Sequence, residues 1–355
     1  MNSHIYCVIM AGGAGTRFWP ISRSGRPKQF LDILGTGKTF IRSTFERFAE
    51  FVPAENFLVV TNSTYRDLVL EQLPEIAPQQ ILAEPLGRNT APCIAYAAFR
   101  LKATAPDSTM IVTPSDHLIL NEPAFRNVVE EASSHEALVT IGVQPTRPAT
   151  GYGYIQVDQP MRRDGLNKVK TFTEKPNLEL AKAFLRSGEF FWNSGIFVWQ
   201  TRTILESMNR MLPETCQLFA SIEGDYGTDR EQEGIARIYP ECRAISIDYG
   251  IMEKANNVYV RCGDFGWSDI GTWGSLYEYL PKDADGNTDS PDCILFDTHG
   301  CLIKKPEGKL AVVEGLDEFI VIDTEDVLMI CPKENEQNIK KFIDTARFTK
   351  GDRFI

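Results

Sequence analysis

Residues 5–28 read I-Y-C-V-I-M-A-G-G-A-G-T-R-F-W-P-I-S-R-S-G-R-P-K. The opening Ile5–Met10 is a short apolar run of strand length and β-branched character. It breaks into three glycines within four residues, Gly12, Gly13 and Gly15. A buried strand that ends in this way lets a ligand approach the main chain closely, and backbone N–H groups oriented together form an anion-binding concavity. Four cations follow, Arg17, Arg23, Arg26 and Lys28. Over the first forty residues five bases face a single acid, Asp32, in a chain whose net charge is −11. Local positive charge at a glycine-rich turn, against an acidic background, points to a phosphate site. An ordinary glycine-rich connection is the plain alternative, and it gives no reason for four spaced cations. Lys28 reads as an exposed loop cation that carries no core packing.

Two familiar readings of the turn fail. A dinucleotide fingerprint needs G-x-G-x-x-G running into a helix; counted from Gly13, the third glycine position holds Phe18, and Pro20 and Pro27 disfavour an immediate long helix. Gly37-Lys38-Thr39 imitates the end of a Walker A loop, but the position of its first glycine is Asp32 and no strong strand precedes it. That triplet reads as a turn before a helix.

Composition narrows the class. The 355 residues suffice for two domains. A hydrophobic fraction of 43% and a charged fraction of 24% are those of a water-soluble globular chain. No apolar run approaches the roughly 20 residues of a membrane span, and the N-terminus lacks the basic flank and apolar length of a secretory signal. Eight cysteines are scattered without a C-x-x-C pair, which suggests neither a zinc site nor a disulfide framework and fits a reducing cytoplasm. A pI near 5.0 argues against nucleic-acid backbone binding.

Along the chain, patterning predicts helices over 39–51, 65–73, 90–103 and 123–134, alternating with strands over 57–61, 80–83, 109–113 and 138–142. Thr90 can cap its helix, with Pro92 in the first turn. This alternation is that of a parallel sheet with helices on both faces. Ligands in such sheets bind beyond the carboxyl ends of the strands, so the glycine loop, the Glu84–Thr90 loop and the Ser115–Asp116 turn can share one rim. Further on come Gly151–Ile155, a strand over 169–173 leading into Glu174-Lys175-Pro176, the apolar run Phe190–Trp199 with Asn193 inside it, Ser246–Lys254 and Phe265–Trp273. The polar Pro281–Pro291 marks a domain boundary. Beyond it, short apolar strands recur near Cys293, Cys301, Leu310, Phe319 and Val327, eight to nine residues apart, a spacing that suggests a small all-β appendage. Glu334–Phe348 reads as a terminal helix.

Taken singly, the polar residues have plain readings. Asp116 at a strand exit and Asp269 before Thr272 can cap a turn or helix; the functional alternative is that the two carboxylates hold Mg²⁺, which binds through one or two carboxylates plus substrate phosphates. Lys175 can be a solvated charge pair with Glu174. Asn193 is buried and must find partners in backbone or ligand. His117 lies beside a candidate site, but no nucleophile motif accompanies it.

Together the motifs are more specific. G-G-A-G-T-R-F-W-P-I-S-R followed by R-P-K-Q-F resembles the start of the sugar nucleotidyltransferases. E-P-L-G-R-N-T-A-P, T-P-S-D-H, F-T-E-K-P, W-N-S-G-I-F-V-W, S-I-D-Y-G-I-M-E-K and G-W-S-D-I-G-T-W follow over the first ~280 residues, in the order found in the mannose-1-phosphate guanylyltransferases, or GDP-mannose pyrophosphorylases. The resemblance is to the short, single-activity form of that family. It implies an α/β fold: a Rossmann-like nucleotidyltransferase domain with a mixed central sheet over residues 1–282, then a small left-handed β-helix domain with a terminal helix over 283–355.

The resemblance implies transfer of GMP from GTP to mannose 1-phosphate with Mg²⁺, giving GDP-mannose and pyrophosphate. It implies nucleotide binding by Ala11, Gly12, Gly13, Ala14, Gly15, Thr16, Glu84, Pro85, Asn89, Thr90 and Ser115, with Glu84, Asn89 and Thr90 facing guanine and ribose. Arg17 and Lys28 would neutralise phosphates, and Asp116 and Asp269 would hold the metal. Glu174 and Asn193 would hold sugar hydroxyls, Lys175 the sugar phosphate, and Gly153 would leave room for the hexose. Asp248 and Lys254 would shape the pocket. No nucleic-acid or membrane partner is expected, the setting is cytoplasmic, and a homodimer through the β appendage is plausible because short exposed strands seek cover.

Three rivals differ in class. The same chemistry on another base or hexose, as in thymidylyl- or glucose-type enzymes, is disfavoured by E-P-x-x-R-N-T-A-P and R-P-K-Q-F. A non-catalytic sugar-nucleotide-binding regulator would be expected to lose Lys28, Asp116, Lys175 or Asp269, and all four are present. A nicotinamide oxidoreductase is disfavoured by Phe18 and Pro27.

Overall fold

A computed structural model describes residues 4–13, 15–158, 165–288 and 291–355. The chain divides into two compact units, Met1–Gly12 with Ile41–Trp267, and Gly13–Phe40 with Ser268–Ile355.

The first unit holds a nine-stranded mixed sheet among the described residues. Its strands are β1 (Ile5–Met10), β2 (Phe57–Asn62), β3 (Ile81–Glu84) and β4 (Thr109–Pro114), then, after the two-residue β5 (Leu118–Ile119), β6 (Leu138–Val143), β7 (Gly153–Val157), β8 (Leu166–Glu174), β9 (Phe190–Gln200) and β10 (Val258–Gly263). The order is β3-β2-β1-β4-β9-β6-β10-β8-β7, with β7 also pairing β9. β1, β2, β3 and β4 are mutually parallel. This is why β1 and β2 read as continuous apolar runs: both faces are covered, and Cys7, Val8, Ile9, Val59 and Val60 are fully buried. β9 runs antiparallel to β4, β6 and β7. The helix Thr90–Thr104 is buried on most of its circumference and packs with Phe219, Tyr239 and Ile247 into one apolar cluster.

Most element ends shift by one or two residues from the sequence pattern, the start of β8 by three, and two expected caps are replaced by neighbouring asparagines. The Thr90–Thr104 helix is capped by Asn89, whose side chain accepts from Thr90 N–H, and not by Thr90 itself. The helix Glu122–Ala132 is capped by Asn121, so Asp116 is not its cap.

The second unit contains the helix Trp273–Tyr279, the strands β12 (Cys293–Phe296), β13 (Leu302–Lys304), β14 (Ala311–Glu314), β15 (Phe319–Asp323) and β16 (Leu328–Pro332), and a terminal helix; β11 (Trp267–Ser268) precedes them. β12 pairs in parallel with β14 and β13 with β15, so Cys293 faces Ala311 and Leu302 faces Ile320, each eighteen positions on. The eight-to-nine-residue spacing of the sequence is thus half of a coil, and each strand stacks on the strand after next. β16 closes the stack antiparallel to β15. The expected terminal helix splits into a 3₁₀ stretch, Lys333–Asn338, and an α-helix, Ile339–Lys350. Within the 3₁₀ stretch Glu336 turns to accept from Gly274 N–H at 2.8 Å.

Candidate active site

In the first unit, parallel pairing brings the carboxyl ends of β1, β3 and β4 to one rim. Met10 lies opposite Val60 and Pro114, and Asn62 opposite Glu84. Ala11 continues β1 by donating to Val60 O at 2.8 Å, and Ser115 N–H donates to Met10 O at 3.1 Å. The Ser115 carbonyl accepts from Thr44 Oγ1 at 3.1 Å. Asp116 follows on this rim, half-buried.

Glu84 closes β3 with only 5% of its surface exposed. A Cβ on Gly12 would stand 3.0 Å from Glu84 Oε2, so glycine there lets the carboxylate lie against the β1 end. The hydroxyl of fully buried Tyr239 donates to Glu84 Oε1. Burial pushes the Glu84 carboxyl up to about 7, against the lowering effect of that hydrogen bond. Next to it, Asn89 adopts a left-handed φ of 67°, a conformation that asparagine tolerates better than most residues. Pro85 and Asn89 are exposed. The Thr90 hydroxyl accepts from Ile247 N–H at 2.9 Å, and Ala91 N–H donates to Ile245 O at 3.0 Å. The 84–91 loop is therefore anchored on the segment that enters the π-helical turn Asp248–Met252.

That turn supplies the second group. Gly153 pairs with Glu174 on β8 and with Asn193 on β9, so the three form one row across the sheet. A Cβ on Gly153 would run into Glu174 Oε2 and lie 3.3 Å from Asn193 Cβ; the space above this glycine is taken by the Glu174 carboxylate. Glu174 Oε1 pairs with Lys175 Nζ at 2.9 Å, and Lys175 has a left-handed φ of 47°. The Asn193 amide is fixed on both sides. Its Oδ1 accepts from Thr140 Oγ1 at 2.8 Å and from Gly195 N–H at 3.2 Å, while Nδ2 donates to Asp248 Oδ1 at 2.9 Å. Burial and the Glu174 charge push the Asp248 carboxyl up to about 6, opposed by its hydrogen bonds. The row adjoins the first rim, since a Cβ on Gly195 would lie 3.7 Å from Pro114 and 3.9 Å from His117. His117 Nδ1 accepts from Trp267 Nε1 at 3.2 Å. Lys254 is exposed.

In the second unit, Gly15 has φ 58°, and a Cβ there would stand 2.7 Å from Lys28 N. No L side chain fits on either count. Thr16 and Arg17 open a short 3₁₀ turn and are exposed. Gln29 donates to Gly13 O at 2.9 Å and so braces the glycine loop from below. Lys28 corrects an expectation: it is buried, with 3% exposure, not an exposed loop cation. Its ammonium donates to Asp269 O at 2.8 Å and stands 4.8 Å from the Phe40 ring centre and 5.4 Å from that of Phe18. Arg23 also differs from the sequence reading, because it forms a bidentate ion pair with Asp326 and does not join a cluster of phosphate-directed cations. Asp32 accepts from Thr36 N–H and Gly37 N–H at 3.0 and 2.7 Å, so Gly37-Lys38-Thr39 is the end of a turn.

Asp269 Oδ1 accepts from Gly271 N–H at 3.1 Å, and a Cβ on Gly271 would collide with the carboxylate. The helix Trp273–Tyr279 is capped by Thr272, not by Asp269. Ile270, between them, sits at φ 40°, which a β-branched residue adopts only under strain held by its surroundings. Ala14 lies outside the described residues. Sequence reasoning missed Tyr239, Thr140 and Gln29. Only Gln29 had a signal, its place in R-P-K-Q-F.

The mixed sheet of the first unit and the stacked short parallel strands of the second each match a known family. Residues 6–286 match the Nucleotidyl transferase family, and residues 292–345 the MannoseP isomerase/GMP-like beta-helix domain. Among relatives, a mannose-1-phosphate guanylyltransferase of Klebsiella pneumoniae is 37% identical over 347 residues, covering 95% of this chain and 73% of the relative. The alginate biosynthesis protein AlgA of Pseudomonas aeruginosa is 36% identical over 345 residues, covering 95% and 71%. A solved structure described as a mannose-1-phosphate geranyltransferase, from Thermus thermophilus, superposes with a TM-score of 0.87 at 30% identity, covering 97% of this chain and 99% of that one. The chain belongs to the nucleotidyl transferase family and, within it, to the mannose-1-phosphate guanylyltransferases.

Proposed function

We propose that this chain transfers GMP from GTP to mannose 1-phosphate, releasing pyrophosphate and forming GDP-mannose. The observation that carries this reading is the Gly153–Glu174–Asn193 row with Lys175 beside it, in a chain 37% identical to a mannose-1-phosphate guanylyltransferase. Two hydroxyl-binding polar groups next to a cation suit a hexose phosphate.

The sugar phosphate is an anion at neutral pH, so its attack on the α-phosphorus needs no general base. One oxygen–phosphorus bond forms as the bond to the β-phosphate oxygen breaks, and the electron pair leaves on pyrophosphate. The barrier lies in bringing two polyanions together and in charge growing on the leaving group, so catalysis rests on positioning and electrostatic stabilisation. Main-chain N–H groups from Ala11 to Gly15, with Thr16 and Ser115, cradle the nucleotide. Arg17 and Lys28 offset phosphate charge, Arg17 at the leaving pyrophosphate. The Glu84 carboxylate, when ionised, accepts from guanine N–H donors, and Pro85, Asn89 and Thr90 complete the base and ribose contacts. Glu174 and Asn193 orient sugar hydroxyls, Lys175 takes the sugar phosphate, and Asp248 holds Asn193 in the required amide orientation.

Mg²⁺ suits the donors present. Among the described residues no three His, Cys, Asp or Glu side chains gather as a metal cage, and Mg²⁺ is commonly held by one or two carboxylates with the remaining positions filled by phosphate oxygens and water. Asp116 and Asp269 would hold it, and when bound it would supply positive charge against the phosphates. The same proposal includes a nucleotidyltransferase part over 1–282, a left-handed β-helix over 283–355, a cytoplasmic setting in keeping with eight thiol cysteines, and a homodimer. No helix among the described residues is long and apolar enough to cross a membrane.

Pyrophosphate release with Mg²⁺, from GTP, dTTP, UTP and ATP each against mannose 1-phosphate and glucose 1-phosphate, tests the reaction. Release chiefly from GTP with mannose 1-phosphate is expected. Release from another pair overturns the specificity and keeps the mechanism; silence throughout with tight GDP-mannose binding replaces catalysis by a regulatory role.

A further inference from the structure

Residues 13–40 form one compact unit with residues 268–355, and the turn that carries Arg17 is pinned from that far part of the chain. The Thr16–Phe18 turn closes where Trp19 N–H donates to Thr16 O at 3.1 Å. Trp19 is buried, and both of its remaining polar groups are engaged. Its Nε1 donates to Phe354 O at 2.8 Å, and its carbonyl accepts from Trp273 Nε1 at 3.3 Å. Ser24 Oγ donates to Ile355 O at 2.9 Å, and between the two Arg23 makes its bidentate pair with Asp326. The helix Ile339–Lys350 itself lies against the Thr16–Phe18 turn. The segment Gly351–Ile355 reaches Trp19 through one backbone position. Gly351 has φ 75° and ψ −171°, a region essentially confined to glycine. Nothing stands within 4 Å of the place of its Cβ, so glycine is required there for chain direction and not for space. The chain leaves the helix at that residue, makes the short 3₁₀ turn Asp352–Phe354 and sets two carbonyls on Trp19 and Ser24. Arg17, in the middle of the pinned turn, is exposed. Its charge is thus carried on a fixed backbone.

We infer that Gly351–Ile355 is a latch on the phosphate turn, and that Trp19 is the positioning residue through which it acts on Arg17. The inference rests on the reading of Arg17 as the cation at the leaving pyrophosphate. A cation that stabilises charge growing on a leaving group has to be in place beforehand, and a displacement of about 1 Å can cost on the order of 100-fold in rate. A three-residue 3₁₀ turn has few hydrogen bonds of its own, and their geometry is poor. The indole bond to Phe354 supplies the missing constraint. The hexose row belongs to the other unit, so the latch is expected to govern the nucleotide phosphates and not the sugar.

Three variants of the full chain test this: Gly351→Val, which misdirects the segment without touching the turn; Trp19→Phe, which keeps a ring and removes the donor; and Arg17→Ala. Each is read by steady-state kinetics with GTP and mannose 1-phosphate varied in turn, by thermal melting, and by limited trypsin digestion followed at the bonds after Arg17 and Arg23. In Gly351→Val, cleavage at those two bonds should quicken about 10-fold, as local opening becomes easier, while cleavage elsewhere and the melting temperature stay near the parent. Its kcat/KM for GTP should fall about 10- to 100-fold, with the KM for mannose 1-phosphate within about twofold. Trp19→Phe should reproduce both effects, and it decides the matter if Gly351→Val fails to fold. If both latch variants leave kcat/KM for GTP unchanged while Arg17→Ala lowers it, the latch is overturned and the phosphate reading of Arg17 stands. If Arg17→Ala leaves it unchanged as well, that reading fails and the latch loses its role with it. A fall in kcat/KM with cleavage after Arg17 and Arg23 like that of the parent also overturns the latch, because the effect then reaches the site by another route.

Discussion

The Lys28 ammonium donates a 2.8 Å hydrogen bond to the backbone carbonyl of Asp269, joining residues 241 positions apart. Each carries its own sequence motif, and neither motif announces the other. A buried cation thereby fixes the backbone of a proposed metal ligand, just before Ile270 takes its strained left-handed conformation.

Burial of Lys28 changes what its removal should do. Lys28→Ala leaves a gap between Phe18 and Phe40 and should cost about 2–4 kcal/mol of stability. Lys28→Met keeps most of the volume and should stay within about 1.5 kcal/mol of the parent. In both, turnover should fall by about two orders of magnitude or more, as for loss of a group that stabilises developing charge. Thermal melts alongside pyrophosphate release separate the two effects. Normal turnover in a Lys28→Met protein that melts like the parent would refute the catalytic role.

Asp269→Asn keeps an acceptor for Gly271 N–H but removes a charge from the proposed metal site. The helix that follows is capped by Thr272, so folding should be little affected. The Mg²⁺ concentration for half-maximal turnover should rise about tenfold or more, with lower turnover at saturation. A metal titration like that of the parent would leave Asp269 only the shaping of its loop.

Glu84 predicts a pH dependence. Its folded value of about 7 lies above the ordinary glutamate value of 4.5. Between those values the folded protein holds a proton that the unfolded chain has released. Stability from this group is therefore full below about pH 4.5 and is progressively lost as pH rises through about 7, by roughly 3 kcal/mol in all. Glu84→Gln should flatten that slope. Tyr239→Phe removes the hydrogen bond that lowers the Glu84 value, so less carboxylate is ionised at neutral pH. The KM for GTP should then rise near pH 7 and recover at higher pH. Equal KM profiles in parent and variant would show that Tyr239 does not act through Glu84.

Gly153→Ala places a methyl group where the Glu174 carboxylate lies. With β7 held on both sides, Glu174 has to move, and the KM for mannose 1-phosphate should rise about 10- to 100-fold while that for GTP holds. Asp248→Asn, at the other end of the row, should remove any inflection near pH 6 from the mannose 1-phosphate KM profile. An unaltered profile would assign that inflection to another group.

Much of the architecture is legible from local pattern. Alternating apolar segments mark the parallel β1–β4 rim, and after β1 the left-handed φ of Gly15 and the close approach of the Lys28 backbone forbid a Cβ. The strands after Cys293 announce themselves by spacing. Local pattern fails where a side chain has to be traced to a distant partner. Lys28 looks exposed because it follows Gly25 and Pro27, yet the rings that cover it include Phe40, and its acceptor is at Asp269. Arg23 looks like one more loop cation, yet it is spent on Asp326.

The sequence by itself determined the order of strands and helices, the glycine turn, the family and the residue types available for phosphate, metal and hexose. Those follow from hydrophobic period, turn chemistry and motif order, which are local properties of the chain. Tertiary structure alone decided which polar groups are held, and by what: Glu84 by Tyr239, Asn193 by Thr140 and Asp248, and Thr90 by the backbone at Ile247. Register between strands and the burial of charges depend on residues tens to hundreds of positions apart, and hydrogen bonds at that range leave no periodic trace in a sequence.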